Sequence, residues 1–367
     1  MIPAPLMESM SAPRSRAWVE VSLAAVVENA RIVARTAGTR LLPIVKANAY
    51  GLGAVAVSRA LEVVDPWGYG VATVEEGIEL RAAGISRPVL VLLAAAAARF
   101  SEYHAARLTP VFDSSAALES WLGERGDAPF HLEIDTGMAR GGVRWDEMAH
   151  VARLLDTPRF EGAFTQLHSS EIADGSMRRQ LERYHAALDT LPRQPRLRHV
   201  ANSAAALTEP HAALDLVRPG VFLYGGTPGG TIAPGRAVAS IRAQVASVRR
   251  VRAGDTVSYN ARWAAPRDTT IATLGIGYAD GVPPSLGPEG RGTVLLAGRR
   301  CPIVGTVTMD LIMVDAGDLA VDVGDVATLL GAADGQTLTL AELSAASGVQ
   351  PRGLLTGLGS RLPRVYE

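Results

Sequence analysis

The 367-residue chain has one cysteine, Cys301, which leaves no room for an intramolecular disulfide or a multi-cysteine metal site. It has almost no net charge, since 36 basic and 37 acidic side chains leave −1. That balance argues against a charge-driven nucleic-acid or membrane partner, both of which need clustered basic excess. Long apolar runs are missing as well. The longest, 89–98, falls far short of the roughly 20 residues a membrane span requires. Residues 1–16, MIPAPLMESMSAPRSR, lack the early basic residues and apolar core of a signal peptide and read as a Pro/Ser-rich arm. These absences point to a cytoplasmic globular protein whose partner is a small molecule. The rarest residue is lysine: of the 36 basic residues, 35 are Arg and one, Lys46, is Lys.

What is present is a large apolar fraction, 48%, with 20% charged residues, enough for a sizeable core. Drift from Lys to Arg accounts for the 35 arginines but not for the exception. A solvated lysine is replaceable by arginine. A lysine that condenses with a carbonyl is not, because guanidinium stays protonated and forms no Schiff base.

From about residue 38, apolar runs alternate with helical stretches: 41–46, 67–72, 88–93, 108–112, 130–135, 160–167, 197–201 and 214–218. Thr73 and Glu76 form a capping box closed by Gly84, and Leu181, Tyr184, His185 and Leu188 mark a helical face within 171–191. Eight strand–helix units predict a (β/α)8 TIM-type barrel, with a doubly wound sheet as the alternative. After residue 235 the helices give way to short alternating runs punctuated by Gly, Asp and Pro, as expected of a mostly β domain. The expected division is an arm over 1–16, a barrel over 17–235 and a β-rich domain over 236–367.

Barrel enzymes place reactive groups at the C-terminal ends of their strands. Lys46 closes the first run, Arg140 follows the fifth, Gln166 and His168 end the sixth, His199 and Asn202–Ser203 the seventh, and Arg218 the eighth. Strand ends are often polar simply because they reach solvent, but this does not explain a lone lysine. Ser203 and the amides of Gly220 and Val221 lie where such barrels bind phosphate. A Schiff-base lysine facing a phosphate cradle calls for a phosphorylated aldehyde, and pyridoxal phosphate (PLP) is the leading candidate.

IVKANAYGLG, with Lys46 and Tyr50, resembles the cofactor-lysine motif of the alanine racemases. DTGMARGG resembles the segment that supplies that family's active-site arginine, and HVANSAA, VRPGVFLYG, GYADG, CPIVGTVTMDLIMVD and SRLPRVY match in order. The resemblance spans residues 17–366 and implies a PLP barrel followed by a β domain, in a homodimer with shared active sites. It implies that Lys46 holds PLP and serves as the base on the D-face of Cα. Tyr278, contributed by the second subunit, would be the base on the other face, its ionisation helped by cations such as Arg218. Arg218 would donate to the pyridine nitrogen, with His199 behind it. Tyr50, Ser203, Gly220 and Val221 would hold the phosphate. Arg140 would touch the PLP phenolic oxygen and the substrate carboxylate, which the Met309 N–H would also meet, with Asp310 in support. No metal is implied.

Three positions depart from the family's pattern. Glu133 stands where the family commonly has a lysine, often carbamylated, and is expected to pair with Arg140. Gln166 replaces the histidine of a THFA segment, and His168, two residues on, is expected to share its strand face. GVPPSLG, 281–287, replaces a more basic and aromatic loop at the substrate entrance. The activity implied is interconversion of L- and D-alanine, for cell-wall precursor supply. Alternatives are racemisation of serine, lysine or a broad range, a fold-type III decarboxylase, or a non-catalytic PLP-binding protein.

Overall fold

The computed structural model describes residues 15–124, 126–287 and 291–367; residues 1–14 of the expected arm lie outside the described residues. The chain divides into two compact units, one of Ser22–Val238 with the terminal Glu367, the other of the residues up to Val21 with Ala239–Tyr366. The break after Val238 falls three residues beyond the expected 235/236 division. One assignment needs correction. Residues 17–21, expected with the barrel, form the strand Ala17–Val21, which pairs antiparallel with Ala239–Ala243 in the other unit. A five-residue strand specifies which face is buried, but its sequence does not say which sheet it joins.

In the first unit, parallel strands run in the order Tyr69–Val71, Val89–Ala94, Thr109–Phe112, Phe130–Asp135, Phe160–Phe164 and Leu197–His199. Arg40–Leu41 and Leu216–Val217 pair with each other. Single bridges, Ile44 to Gly70 and Asn202 to Arg218, join this pair to both ends of the six-stranded run. Eight strands therefore close on themselves, so the barrel and not the doubly wound sheet is the fold. Tyr69–Val71 and Thr109–Phe112 are buried at every residue, as parallel strands covered on both faces are. Helix Val74–Ala82 starts at the capping box read from the sequence, with Glu76 N–H on Thr73 Oγ1 at 3.4 Å and Thr73 N–H on the Glu76 carboxylate at 3.3 Å. The helix expected over 171–191 is shorter, Ser176–Asp189. Gly175 precedes it with a φ of 76°, and it buries Gln180, Tyr184, Ala187 and Leu188, leaving His185 exposed.

In the second unit the long strand Ala239–Val251 pairs with both Thr269–Leu274 and Val326–Ala333. Those pairings complete a ring that also includes Thr293–Leu296, Arg299–Val304 and Ile312–Gly317. Closure removes sheet edges. Among the described residues no helix is long and apolar enough to cross a membrane.

Candidate active site

Lys46 does not end a regular strand. The strand stops at Leu41, and Lys46 opens a single turn, Lys46–Tyr50, in which Ala47, Asn48, Ala49 and Tyr50 have φ of 53°, 54°, 51° and 55°. Four successive non-glycine residues in left-handed conformation carry a cost of roughly 1–2 kcal/mol each, apart from the more tolerant Asn. Such strain persists only where surroundings over-determine it, typically at a functional site. Here the Ala47 N–H donates to Glu76 Oε1 at 2.7 Å, the Ala54 N–H to Asn48 Oδ1 at 2.8 Å, and the Gly51 N–H to the Ala47 carbonyl at 2.8 Å. The other oxygen of Glu76 accepts from Ala72 N–H at 2.6 Å. Sequence reading found Glu76 only as a capping residue. Its brace on the lysine turn had no local signal, because its partner lies 29 positions away.

The half-buried Lys46 amine has its pKa lowered by burial first and then by the charge of Arg140; Glu76 opposes the shift and Arg218 adds to it. Lysine, glutamate and two arginines, each from a segment that follows a barrel strand, thus share one region. Arg218 is 5% exposed. Its Nη1 donates to the His199 carbonyl and faces His199 Nδ1 at 3.0 Å, and its Nη2 donates to the Thr165 carbonyl at 2.7 Å and reaches Gln166 Oε1 at 3.4 Å. Burial lowers its pKa to about 10, so it remains a cation at neutral pH. Among the described residues no carboxylate pairs with it and nothing accepts from its Nε–H.

Ser203 opens helix Ser203–Thr208, whose cap is the Asn202 side chain, accepting from Ala204 and Ala205 N–H at 3.0 and 3.2 Å. Ser203 Oγ accepts from the Gly220 N–H at 2.9 Å, leaving its own proton to donate. The Val221 N–H has no acceptor among the described residues. Tyr50 stacks on Tyr224 with centroids 4.6 Å apart. A Cβ at Gly220 would lie 2.6 Å from the Tyr50 hydroxyl, so only glycine permits this approach. Tyr50, Ser203, Gly220 and Val221 are therefore brought together.

Arg140 is exposed on a loop shaped by Asp135, which accepts from Gly137 and Ala139 N–H at 2.9 and 3.0 Å. Glu133 lies below it, its pKa raised by burial first, with Arg140 the strongest charge pulling the other way. The expected ion pair does not form: no salt bridge or hydrogen bond joins the two side chains, and Arg140 acts on Glu133 as a nearby charge. The expectation for His168 also needs correction. Its strand ends at Phe164, so the alternation that would align it with Gln166 does not apply. His168 is exposed, its Nδ1 on Ser169 Oγ at 2.7 Å.

In the second unit, Tyr278 begins the turn Tyr278–Asp280 and is 44% exposed. Its N–H donates to the Thr308 carbonyl at 2.9 Å and the Ala279 N–H to the Met309 carbonyl at 3.0 Å, which zips the Tyr278 and Met309 loops together. Gly277 permits this: a Cβ there would lie 2.4 Å from both carbonyls. The fully buried Asp280 anchors the turn, pairing with Arg16 at 2.8 Å and Arg361 at 3.0 Å and accepting from Gly277 N–H at 2.9 Å. Arg361 also reaches Asp310 at 2.8 Å. Asp280→Asn is expected to cost about 1–3 kcal/mol, chiefly the lost acceptor, because both arginines are some two-fifths exposed and screened. Thermal unfolding reads this as a fall of several degrees. Cys301 is buried in strand Arg299–Val304, its thiol pushed up by burial.

Residues 21–228 match the alanine racemase N-terminal domain and 238–366 the alanine racemase C-terminal domain. The chain belongs to the alanine racemase family. It is 39% identical to the alanine racemase of Symbiobacterium thermophilum, over 95% of this chain and 96% of that one, and 38% identical to that of Deinococcus deserti, over 96% and 99%. Among solved alanine racemase structures, that from E. faecalis superposes with a TM-score of 0.90 at 31% identity, covering 98% of this chain and all of its own. The structure from Bartonella henselae, which carries covalently bound pyridoxal phosphate, has a TM-score of 0.88 at 31% identity, over 96% and 100%.

Proposed function

We propose that this chain interconverts L- and D-alanine using pyridoxal phosphate linked to Lys46. The observation that carries the reading is the meeting of a desolvated lone lysine with a buried, carboxylate-free arginine at the barrel's C-terminal rim. The donors present fit the cofactor. The Ser203 hydroxyl, the Val221 N–H and the Tyr50 phenol suit a phosphate, and the uncommitted Arg218 Nε–H suits a pyridine nitrogen. When bound, the cofactor supplies an aldehyde for Lys46 and a conjugated ring that spreads the electron pair left when a Cα proton departs.

The protein's own part is to hold the amino acid and move two protons. Arg140 and the Met309 N–H would bind the carboxylate, and Lys46 would take or return the Cα proton on the D-face. Inversion requires a second base on the opposite face, and Tyr278 is the candidate. The exposure of Tyr278, Met309 and Leu311, at 44%, 51% and 38%, suits a face covered by a second copy, and a homodimer would supply each barrel with its partner's tyrosine. Arg218 would offer a bound ring nitrogen only a donor, which would leave the ring a weaker electron sink than a carboxylate partner would and would limit side reactions. Cytoplasmic supply of a D-amino acid is the expected setting.

The test is to load the protein with pyridoxal phosphate, add L- or D-alanine, and follow optical rotation and carbon dioxide alongside a panel of L-amino acids. Alanine should give the highest initial rate without gas. Release of gas, or faster turnover of serine or lysine, would overturn the reading. Gly220→Ala should also weaken cofactor binding. The added methyl collides with the Tyr50 hydroxyl, and such overpacking costs about 1–3 kcal/mol, roughly tenfold or more in a fluorescence-monitored titration.

A further inference from the structure

Behind Arg218 a chain of buried polar side chains runs toward the N-terminal end of the barrel. His199 Nδ1 faces Arg218 Nη1 at 3.0 Å, and His199 Nε2 meets His131 Nδ1 at 2.8 Å. His131 Nε2 lies 3.4 Å from Glu161 Oε2. Both histidines are fully buried; Glu161, the second residue of strand Phe160–Phe164, keeps a side chain 20% exposed. The ring of His131 occupies space that Gly162 leaves open, since a Cβ there would sit 2.4 Å from its Nδ1.

The chemistry of the donors sets the direction of this chain. Arginine only donates, so His199 Nδ1 must accept and its proton sits on Nε2. That proton is donated to His131 Nδ1, which puts the proton of His131 on Nε2. The Glu161 carboxylate faces His131 Nε2 at 3.4 Å, outside hydrogen-bond geometry, and no other acceptor reaches that nitrogen among the described residues. Reversing either histidine would set two N–H groups against each other at one of its two links and two acceptors against each other at the other. Burial lowers the pKa of both histidines, which agrees with a neutral pair.

We propose that Glu161 is a positioning residue: its carboxylate, the acceptor facing the His131 Nε2–H, supports the tautomers that Arg218 imposes and so helps keep His199 Nδ1 where it orients Arg218. The consequence for the reaction rests on the function proposed above, while the tautomers do not.

The experiment uses the full chain carrying 15N-labelled histidine, with and without pyridoxal phosphate, read by two-bond 1H–15N spectra; His131 and His199 are assigned by single replacement. Both should carry a proton on Nε2 and none on Nδ1, with or without cofactor. Glu161→Leu should expose the His131 Nε2–H to exchange with water and lower racemisation kcat about tenfold at full cofactor loading, the low end of the loss when the carboxylate behind a metal-ligating histidine is removed. Glu161→Gln, whose amide oxygen still accepts, should keep both tautomers and recover most of that loss. A proton on His199 Nδ1 in the unaltered chain overturns the proposal, and so does a Glu161→Leu protein with unchanged spectra and rate. Should Glu161→Leu fail to fold, the unaltered chain and Glu161→Gln still decide the tautomers. Expected tautomers in a protein that racemises no amino acid would overturn the proposed function and leave this assignment standing.

Discussion

Lys46→Arg is expected to abolish the covalent hold on the cofactor and to lower racemisation by at least about 10³-fold, because both the nucleophile and one proton carrier are lost. The substitution keeps the positive charge and much of the stem, so a charge-only role at this position would survive it. Guanidinium stays protonated and cannot condense with an aldehyde. The rest of the chain makes the test pointed, since 35 other basic positions are already arginine. The structure adds a sign to the pH dependence. Burial and Arg140 lower the amine's pKa, so its neutral form appears at lower pH than in an ordinary lysine, and cofactor capture should rise with pH and level off earlier. Glu76 works against that shift, so Glu76→Gln should move the midpoint further down. The measurement is the visible absorbance of the linked cofactor against pH, together with initial rates. A Lys46→Arg protein that retains either absorbance or turnover would remove Lys46 from the chemistry.

The barrel was legible because buried parallel strands show as apolar runs and the helix between two of them carries its own cap. All eight runs contain a strand or a bridge of the barrel. The site was legible as residue types at strand ends, and the structure gathers Lys46, Arg218, His199 and Gln166 at one rim, with Tyr50, Ser203, Gly220 and Val221 beside one another. What escaped was geometry that depends on distant partners. The left-handed turn after Lys46 follows from Glu76 and Asn48 bracing it, and nothing in the alanine-rich stretch itself announces that conformation. The misplacement of His168 came from extending strand alternation past Phe164, where the strand had ended. Glu133 and Arg140 were expected to pair because Glu133 stands where the resembled family has an anion, yet the loop shaped by Asp135 carries the arginine out to solvent. His131 was invisible as a functional residue because an alternating strand gives no reason to single out one polar position. Only the space left by Gly162 and the ring of His199 give it a role.

Tyr278→Phe is expected to keep cofactor binding and the fold while lowering racemisation by about 10²–10⁴-fold, the usual contribution of a positioned acid–base group. The ring is 44% exposed and its hydroxyl has no partner among the described residues, so loss of the oxygen should barely change stability. Because L- and D-alanine have equal free energy, kcat/KM must fall by the same factor in both directions, and steady-state rates alone cannot say which face lost its base. Exchange of the Cα hydrogen with deuterated water can. With Lys46 intact, D-alanine should still exchange its Cα proton at a rate within about tenfold of the unaltered protein. L-alanine should lose exchange along with racemisation. Symmetric loss of both exchanges would mean that the tyrosine acts on binding rather than on one proton, and near-normal turnover would require a different second base. The same measurement tests the dimer. If Tyr278 serves the partner's barrel, mixing inactive Lys46→Arg and Tyr278→Phe chains should restore one competent site per mixed pair, and activity should return in proportion to subunit exchange. No restoration on exchange would place the tyrosine within its own chain's site.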